Sequence, residues 1–219
     1  MESTAPAYIF DFDGTLADTC PQILESKLKV LEMIGVEDFD PDHIASMSGM
    51  RLEDTFIIAT GIDDPSVQRE AVEMYHPLYH NLTLAHSCLF PGVIDTLRTL
   101  RARGSRIGVM TVRKSADFQE LLDHFGLTPL IDAWAADDMV GRRKPAPDIV
   151  NHLMERLGAS PESTFVVGDT IYDIEVARNT STQSIAVTYG AQNGRLLKMR
   201  RPYALIDSFP ELLTVQLPS

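Results

Sequence analysis

The chain has 219 residues, 44% of them hydrophobic and 23% charged, which is typical of one soluble globular domain or of a domain with an insertion. Its formal net charge of −12 repels polyanions, so we do not expect nucleic acid as a partner. No basic region with an apolar stretch begins the chain, and no apolar run is long enough to cross a bilayer, so we expect no membrane partner. The two cysteines lack a CxxC spacing, and we expect a cytoplasmic protein.

The first predicted element is a short strand, Tyr8-Ile9-Phe10, that ends in two acids at i and i+2. Two carboxylates and a turn are poor core chemistry, but they can hold a divalent cation beside a nucleophilic carboxylate. Asp11 is the candidate nucleophile, which would form an aspartyl-phosphate, and Asp13 is the candidate general acid and base. Gly14 permits backbone angles that point amide N–H groups at phosphate oxygens.

The next interval predicts an insertion. Asp11 and Thr111 are 100 positions apart, whereas a βαβ unit needs only about 30 residues. Apolar residues recur at helical spacing within it, around Ile23 to Ile34, Leu52 to Ala59 and Val67 to Leu78. We predict a helical-bundle cap domain over residues 17–87, inserted into a core domain formed by residues 1–16 and 88–219. An insertion placed directly after the acids is expected to cover the site like a lid.

The remaining elements alternate between helix and strand. Apolar runs end at Thr111, at Asp169 and at Thr188, and helical patterns precede or separate them, around Val93 to Leu100, Phe118 to Phe125, and Ile149 to Leu157. Near-continuous apolar strands separated by helices favour a doubly wound, Rossmann-like parallel α/β sheet. In such sheets the strand ends meet at one edge, where ligands bind.

Polar side chains are therefore expected to converge at that edge. Asp169 and Asp173 would add two acids, although Asp173 alone also suits a helix N-terminus. A cluster of acids needs a counter-ion, and all-oxygen ligands favour Mg²⁺. Lys144, in a loop stiffened by prolines, can balance phosphate charge and keep Asp11 ionised, with a solvated surface lysine as the alternative. Thr111 can donate its hydroxyl to a phosphate oxygen.

Four elements, in this order and spacing, resemble the motifs of the haloacid dehalogenase-like phosphohydrolases: Asp11 to Thr15, Thr111, Lys144-Pro145, and Gly168-Asp169 with Asp173. The resemblance spans essentially the whole chain. The insertion is similar in position to the helical cap of the group that contains phosphoglycolate phosphatases. The resemblance implies that Asp11 is the nucleophile and Asp13 the acid and base, and that Thr111 and Lys144 hold the phosphate. It also implies Mg²⁺ bound by Asp11, the Asp13 backbone carbonyl and Asp169, with Asp173 assisting.

One motif departs from the family pattern, and one residue of the cap is a further candidate. Val112 and Arg113 follow Thr111, where members often have asparagine next. We retain both as candidate substrate contacts, and Arg113 either replaces the lost amide contact or is simply solvated. In the predicted turn Ser48-Gly49-Met50-Arg51, the resemblance makes Arg51 a candidate for binding a carboxylate or second phosphate of the substrate, with an exposed arginine as the alternative.

The expected activity follows from Asp13. Dehalogenases and phosphonate-cleaving members of the family lack an acid at that position, because only an alkoxide leaving group needs a proton donor. We therefore expect a Mg²⁺-dependent phosphatase acting on a small phosphorylated metabolite, a phosphoglycolate-like phosphomonoester. A phosphomutase of the β-phosphoglucomutase type and a catalytically silent phosphate-binding module are the alternatives. Phosphoglycolate, sugar phosphates, nucleotides and pyrophosphate all remain possible substrates, and the protein can be a monomer or a homodimer.

Overall fold

The structure is a computed structural model that describes residues 5–36, 38–48 and 50–216. Gly49, part of the turn predicted before Arg51, lies outside the described residues. The chain divides into two compact units, one formed by Met1–Asp18 with Cys88–Ser219 and the other by Thr19–Ser87. We call them the sheet unit and the helical unit.

The sheet unit is built on parallel strands. Over the described ranges, the strands of this unit are β1 (Ala7–Asp11), β2 (Ala17–Asp18), β3 (Cys88–Leu89), β4 (Arg106–Thr111), β5 (Ala133–Ala136), β6 (Thr164–Gly168), β7 (Gln183–Val187) and β8 (Ala204–Ile206). Six of them form the main sheet in the order β5-β4-β1-β6-β7-β8, with every neighbouring pair parallel. The remaining two, β2 and β3, pair with each other antiparallel.

Nine α-helices lie within the described residues. They are α1 (Cys20–Met33), α2 (Pro41–Ser46), α3 (Leu52–Thr60), α4 (Pro65–His86), α5 (Val93–Ala102), α6 (Ser115–His124), α7 (Asp148–Leu157), α8 (Ile171–Asn179) and α9 (Gly194–Met199). The first four belong to the helical unit and the last five to the sheet unit. Among the described helices, none is both long and apolar enough to cross a bilayer.

Strand β1 is buried on both faces, which explains its uninterrupted apolar sequence. On one face Ile9 belongs to a cluster with Leu153 of α7 and Val166 of β6. On the other face the Phe10 ring lies 5.4 Å from that of Phe209. A strand covered on both sides by apolar side chains is fixed in register, so its last residue is placed precisely at the sheet edge.

The helical unit has a core of its own. Residues from α1, α2, α3 and α4 form one buried cluster, which includes Leu31, Ile44, Phe56 and Tyr75. Helix α1 begins after Thr19, whose side chain makes no capping hydrogen bond.

The predicted fold class is confirmed, and the predicted strands and helices of the sheet unit are present. Two strands of the main sheet were missed, β5 and β8. Strand β5 reads Ala-Trp-Ala-Ala and β8 has only three residues. Alanine has little β propensity, so the sequence of β5 gives a weak strand signal. Both strands are outermost in the sheet, and each becomes recognisable as a strand only through its pairing with one neighbour.

Candidate active site

Three carboxylates meet at the carboxyl edge of the sheet. Asp11 is the last residue of β1. Asp169 directly follows β6, the strand that pairs with β1 in the sheet. Asp173 lies in the first turn of α8. These three side chains are buried, and each offers an oxygen within 4.8 Å of the others. The expected convergence of Asp11, Asp169 and Asp173 at one edge is therefore present.

Lys144 joins this cluster from the loop before α7. Its Nζ lies 3.0 Å from Asp11 Oδ1 and 2.8 Å from Asp173 Oδ1, and its side chain is only 6% exposed. The loop is anchored because Asn179 Nδ2 donates a hydrogen bond to the Pro145 carbonyl at 2.8 Å. Lys144 is thus not the solvated surface lysine of the alternative interpretation.

The charges of the cluster do not balance. Burial raises the pKa of Asp11 well above its usual range, with Lys144 opposing that shift and the neighbouring acids adding to it. Burial, and then the Asp173 charge, raise the pKa of Asp169 to about 7. Burial alone would lower the pKa of Lys144, but Asp11 and Asp173 reverse this and raise it above its usual value. One ammonium among three buried carboxylates leaves room for a further positive charge.

Hydrogen bonds from neighbouring loops hold two of the acids in place. Asp169 accepts from the Thr15 hydroxyl at 3.1 Å and from the Ala191 N–H at 2.7 Å. Asp173 Oδ2 accepts from the N–H and the hydroxyl of Thr170, at 3.0 and 2.7 Å. Thr15, Thr170 and Ala191 were not among the predicted site residues. A hydroxyl directly after Gly14 was a usable signal for Thr15, whereas Ala191 acts through its backbone and leaves no side-chain signal.

Asp13 faces a different partner. Arg113 Nη2 lies 2.7 Å from Asp13 Oδ1, and the side chain of Arg113 is buried while that of Asp13 is 9% exposed. Of the two alternatives for Arg113, a solvated side chain is wrong, because the residue is only 6% exposed. Its burial is possible because the Asp13 carboxylate neutralises its charge.

The other two candidates near Arg113 are Thr111, the last residue of β4, and Val112, which follows it. Thr111 is fully buried, and its Oγ1 accepts a hydrogen bond from the Arg113 N–H at 3.1 Å, which leaves the hydroxyl proton to donate. Val112 has an apolar side chain that is 56% exposed, and it adds no polar group to the cluster. The roles of both residues toward a substrate remain predictions.

Comparison with known proteins decides the family. The family model described as haloacid dehalogenase-like hydrolase matches residues 8–187, most of the chain. The chain belongs to the haloacid dehalogenase-like hydrolases. This family membership agrees with the arrangement of Asp11, Lys144 and Asp169 described above.

Relatives of this hydrolase are phosphatases by name. A probable phosphatase, IndB, of Dickeya dadantii is 33% identical over 95% of this chain and 92% of its own length. A phosphoglycolate phosphatase of Nitrosococcus oceani is 26% identical over 93% of each chain. The crystal structure of a haloacid dehalogenase-like hydrolase from Bacteroides fragilis covers 94% of this chain and 99% of its own, with a TM-score of 0.88 and 28% identity. The expectation of an enzyme, a phosphoric monoester hydrolase related to phosphoglycolate phosphatases, is confirmed.

The acid cluster of the hydrolase fits the divalent cation of the expected mechanism. Its donors are all carboxylate oxygens, which suit a hard cation such as Mg²⁺. Burial first, and then repulsion from the neighbouring acids, raise the pKa values of Asp11 and Asp169 despite Lys144, and a bound cation would relieve that repulsion. Asp11, Asp169 and Asp173 are therefore the residues that would hold Mg²⁺. Asp13 was predicted to contribute its backbone carbonyl, and that contact remains a prediction.

Arg51 belongs to the helical unit. It precedes α3, its side chain is 62% exposed, and its Nε lies 3.8 Å from Glu53 and 3.9 Å from Asp54. Its role toward a substrate, like the lid function of residues 17–87, remains a prediction.

Two glycines of the hydrolase press directly against Asp169. A Cβ on Gly190 would lie 2.3 Å from both Asp169 Cβ and the Gly14 carbonyl oxygen. Gly14 itself has φ +76°, and a Cβ there would lie 2.3 Å from Asp169 Oδ2. Distances this short cannot be accommodated without moving the carboxylate, so only glycine fits at either position.

We expect Gly190→Ala to raise the Mg²⁺ concentration needed for half-maximal activity at least roughly tenfold, because it displaces the Asp169 ligand. Activity titrated with Mg²⁺ measures this shift. Gly194→Ala is the matched control, since its added Cβ would meet a Thr188 methyl group at 3.0 Å and no site residue. An unchanged Mg²⁺ requirement in Gly190→Ala would contradict the placement of Asp169 among the metal ligands.

Proposed function

We propose that this hydrolase is a Mg²⁺-dependent phosphatase that cleaves a small phosphorylated metabolite, a phosphoglycolate-like phosphomonoester, through an aspartyl-phosphate on Asp11. The observation that carries the proposal is the position of Asp11 at the end of β1, 3.0 Å from Lys144 Nζ and within the cluster of acids. A buried carboxylate held by an ammonium has a fixed orientation, which is what an attacking nucleophile requires.

Each residue then has one task in a two-step reaction. In the first step an Asp11 oxygen attacks phosphorus, the bond from phosphorus to the leaving oxygen breaks, and Asp13 gives that oxygen a proton. In the second step water attacks the phosphorus of the acyl-phosphate, Asp13 takes the water proton, and the Asp11 carboxylate is released with phosphate. Thr111 and Lys144 bind the phosphate oxygens through the hydroxyl and the ammonium. Bound Mg²⁺ would supply positive charge to the phosphoryl group.

The partners and location belong to the same proposal. The net charge of −12 argues against nucleic acid and anionic membranes, and supports a small substrate drawn in by a local cation. Neither Cys20 nor Cys88 forms a disulfide within the described part of the chain, in keeping with a reducing cytoplasm. The phosphoglycolate phosphatase of N. oceani makes phosphoglycolate the first substrate to test.

A phosphate-release screen tests the proposal. We expect Mg²⁺-dependent release of inorganic phosphate from phosphoglycolate or a related monoester, measured beside sugar phosphates, nucleotides, pyrophosphate and p-nitrophenyl phosphate. Samples with excess EDTA serve as controls. Conversion of a sugar phosphate into its isomer without phosphate release would favour the phosphomutase alternative. Binding of phosphate without turnover of any ester would favour the silent module.

A further inference from the structure

The Asp13 carboxylate is held by a partly buried, two-point ion pair with Arg113. Arg113 Nε lies 3.1 Å from each oxygen of Asp13, and Arg113 Nη2 lies 2.7 Å from Oδ1. The Asp13 side chain is 9% exposed and the Arg113 side chain is 5% exposed. Bidentate pairing of this kind fixes the plane of the carboxylate as well as its position.

The pairing is not symmetrical. Asp13 Oδ1 accepts from both Nε and Nη2 of Arg113, and Oδ2 accepts from Nε at 3.1 Å. The shorter contact turns Oδ1 toward the arginine, so the rotation of the Asp13 carboxylate about its own bond is fixed.

Arg113 is itself fixed by its surroundings. Its guanidinium carbon lies 5.6 Å from the centroid of the Phe12 ring, within the range of a cation–π contact. Its backbone N–H donates to Thr111 Oγ1 at 3.1 Å, which ties it to the end of β4. An arginine restrained at both ends can orient a neighbouring carboxylate, whereas a mobile arginine cannot.

We propose that Arg113 is a positioning residue that orients Asp13 for proton transfer to the leaving group, rather than a substrate contact. This inference rests on the proposed function. When the bond from phosphorus to the leaving oxygen breaks, the Asp13 proton moves to that oxygen, and Arg113 offsets the charge that appears on the carboxylate. When water opens the aspartyl-phosphate, the proton returns to Asp13. Protons and charges balance over the cycle, and Arg113 keeps its own protons throughout.

The test compares two leaving groups. The nitrophenolate of p-nitrophenyl phosphate departs without a proton, whereas the alkoxide of ethyl phosphate needs one. We expect Arg113→Met to lower kcat/KM for ethyl phosphate roughly 100-fold and for p-nitrophenyl phosphate less than about tenfold, because general acid catalysis is worth 10²–10⁴-fold. The parameter kcat/KM is chosen because it reports phosphoryl transfer to the enzyme and not the later hydrolysis. Arg113→Lys, which keeps the charge but cannot pair at two points, should fall between wild type and Arg113→Met with the same preference.

A double-mutant cycle adds a second readout. Because Arg113 is proposed to act through Asp13, Arg113→Met should cause little further loss of kcat/KM in an Asp13→Asn background. Arg101→Met is the control. Arg101 Nη1 pairs with Asp132 Oδ1 at 2.6 Å. Asp132 directly precedes β5, so this ion pair lies at the amino ends of the strands, whereas the acid cluster lies at their carboxyl ends. The control should lower kcat/KM equally, and only slightly, for the two esters.

Three outcomes would overturn the inference. Equal losses for the two esters would show that Arg113 has only a structural role. Additive losses in the double mutant would separate Arg113 from Asp13. A rise in KM confined to phosphoglycolate would make Arg113 a contact to the substrate carboxylate. If Arg113→Met fails to fold, as its thermal midpoint would reveal, Arg113→Lys carries the same comparison. Failure of the proposed function is distinguishable, since the wild-type protein would then release no phosphate from either ester.

Discussion

Asp11→Asn is expected to lower turnover by roughly 10⁴-fold or more, because the amide cannot form the acyl-phosphate that the proposed reaction passes through. Steady-state phosphate release measures the loss. Wild-type protein quenched during turnover should carry acid-stable, hydroxylamine-sensitive phosphate, and the variant should carry none. Turnover near the wild-type rate would refute Asp11 as the nucleophile.

The same substitution should not weaken the fold. Burial raises the pKa of Asp11, so the metal-free folded state tolerates a neutral group at this position better than a charged one. Replacing it by a neutral isostere should leave the thermal midpoint of the metal-free protein at pH 8 equal to or above that of wild type. Asp132→Asn is the matched control, since Asp132 accepts from the Ile107 N–H at 2.7 Å and pairs with Arg101. That control should lower the thermal midpoint and leave turnover almost unchanged.

Removal of Mg²⁺ with EDTA should abolish turnover, and the stabilisation that Mg²⁺ confers should depend on pH. The pKa of Asp169 is raised in the folded state to about 7, above its value in the unfolded chain, mainly by burial. The folded protein therefore holds a proton that the unfolded chain has already released, and metal-free stability should fall as pH rises through about 7. Above that pH the ionised acids bind Mg²⁺ best.

Thermal midpoints with EDTA and with Mg²⁺ at pH 5 and pH 8 test this prediction. At 100 times its dissociation constant Mg²⁺ should stabilise the protein by about 2.7 kcal/mol at pH 8, and by much less at pH 5, where protons compete for the ligands. Asp169→Asn should reduce the difference between the two conditions. An equal effect of Mg²⁺ at both pH values, or full activity in EDTA, would contradict the assignment of these acids as metal ligands.

The parts of the site that sequence analysis predicted are those fixed by sheet geometry. Asp11 and Asp169 end neighbouring parallel strands, so an apolar run followed by an acid was enough to place them together. Strand β5 escaped prediction because its alanines carry little strand preference and because it is an edge strand that pairs with β4 alone in the main sheet.

The parts that were missed depend on tertiary contacts. The Ala191 N–H that holds Asp169 belongs to a backbone, and any residue other than proline would supply it. Arg113 was expected either to contact the substrate or to be solvated, and its ion pair with Asp13 crosses 100 positions of sequence. Neither residue type nor spacing encodes a pairing of that kind, since an arginine after a strand is most often exposed.

The short pairing of β2 with β3 has a consequence for how such enzymes diversify. The chain leaves the sheet unit after Asp18 and re-enters it at Cys88, and these two residues are partners in the antiparallel pair. The sheet unit itself holds the exit and entry points side by side, and each doubling of the length of the intervening segment adds only about 0.6 kcal/mol of loop-closure entropy. The segment Thr19–Ser87 can thus be replaced by one of different length or sequence, during evolution or in the laboratory, while Asp18 and Cys88 stay paired and the sheet unit keeps its fold.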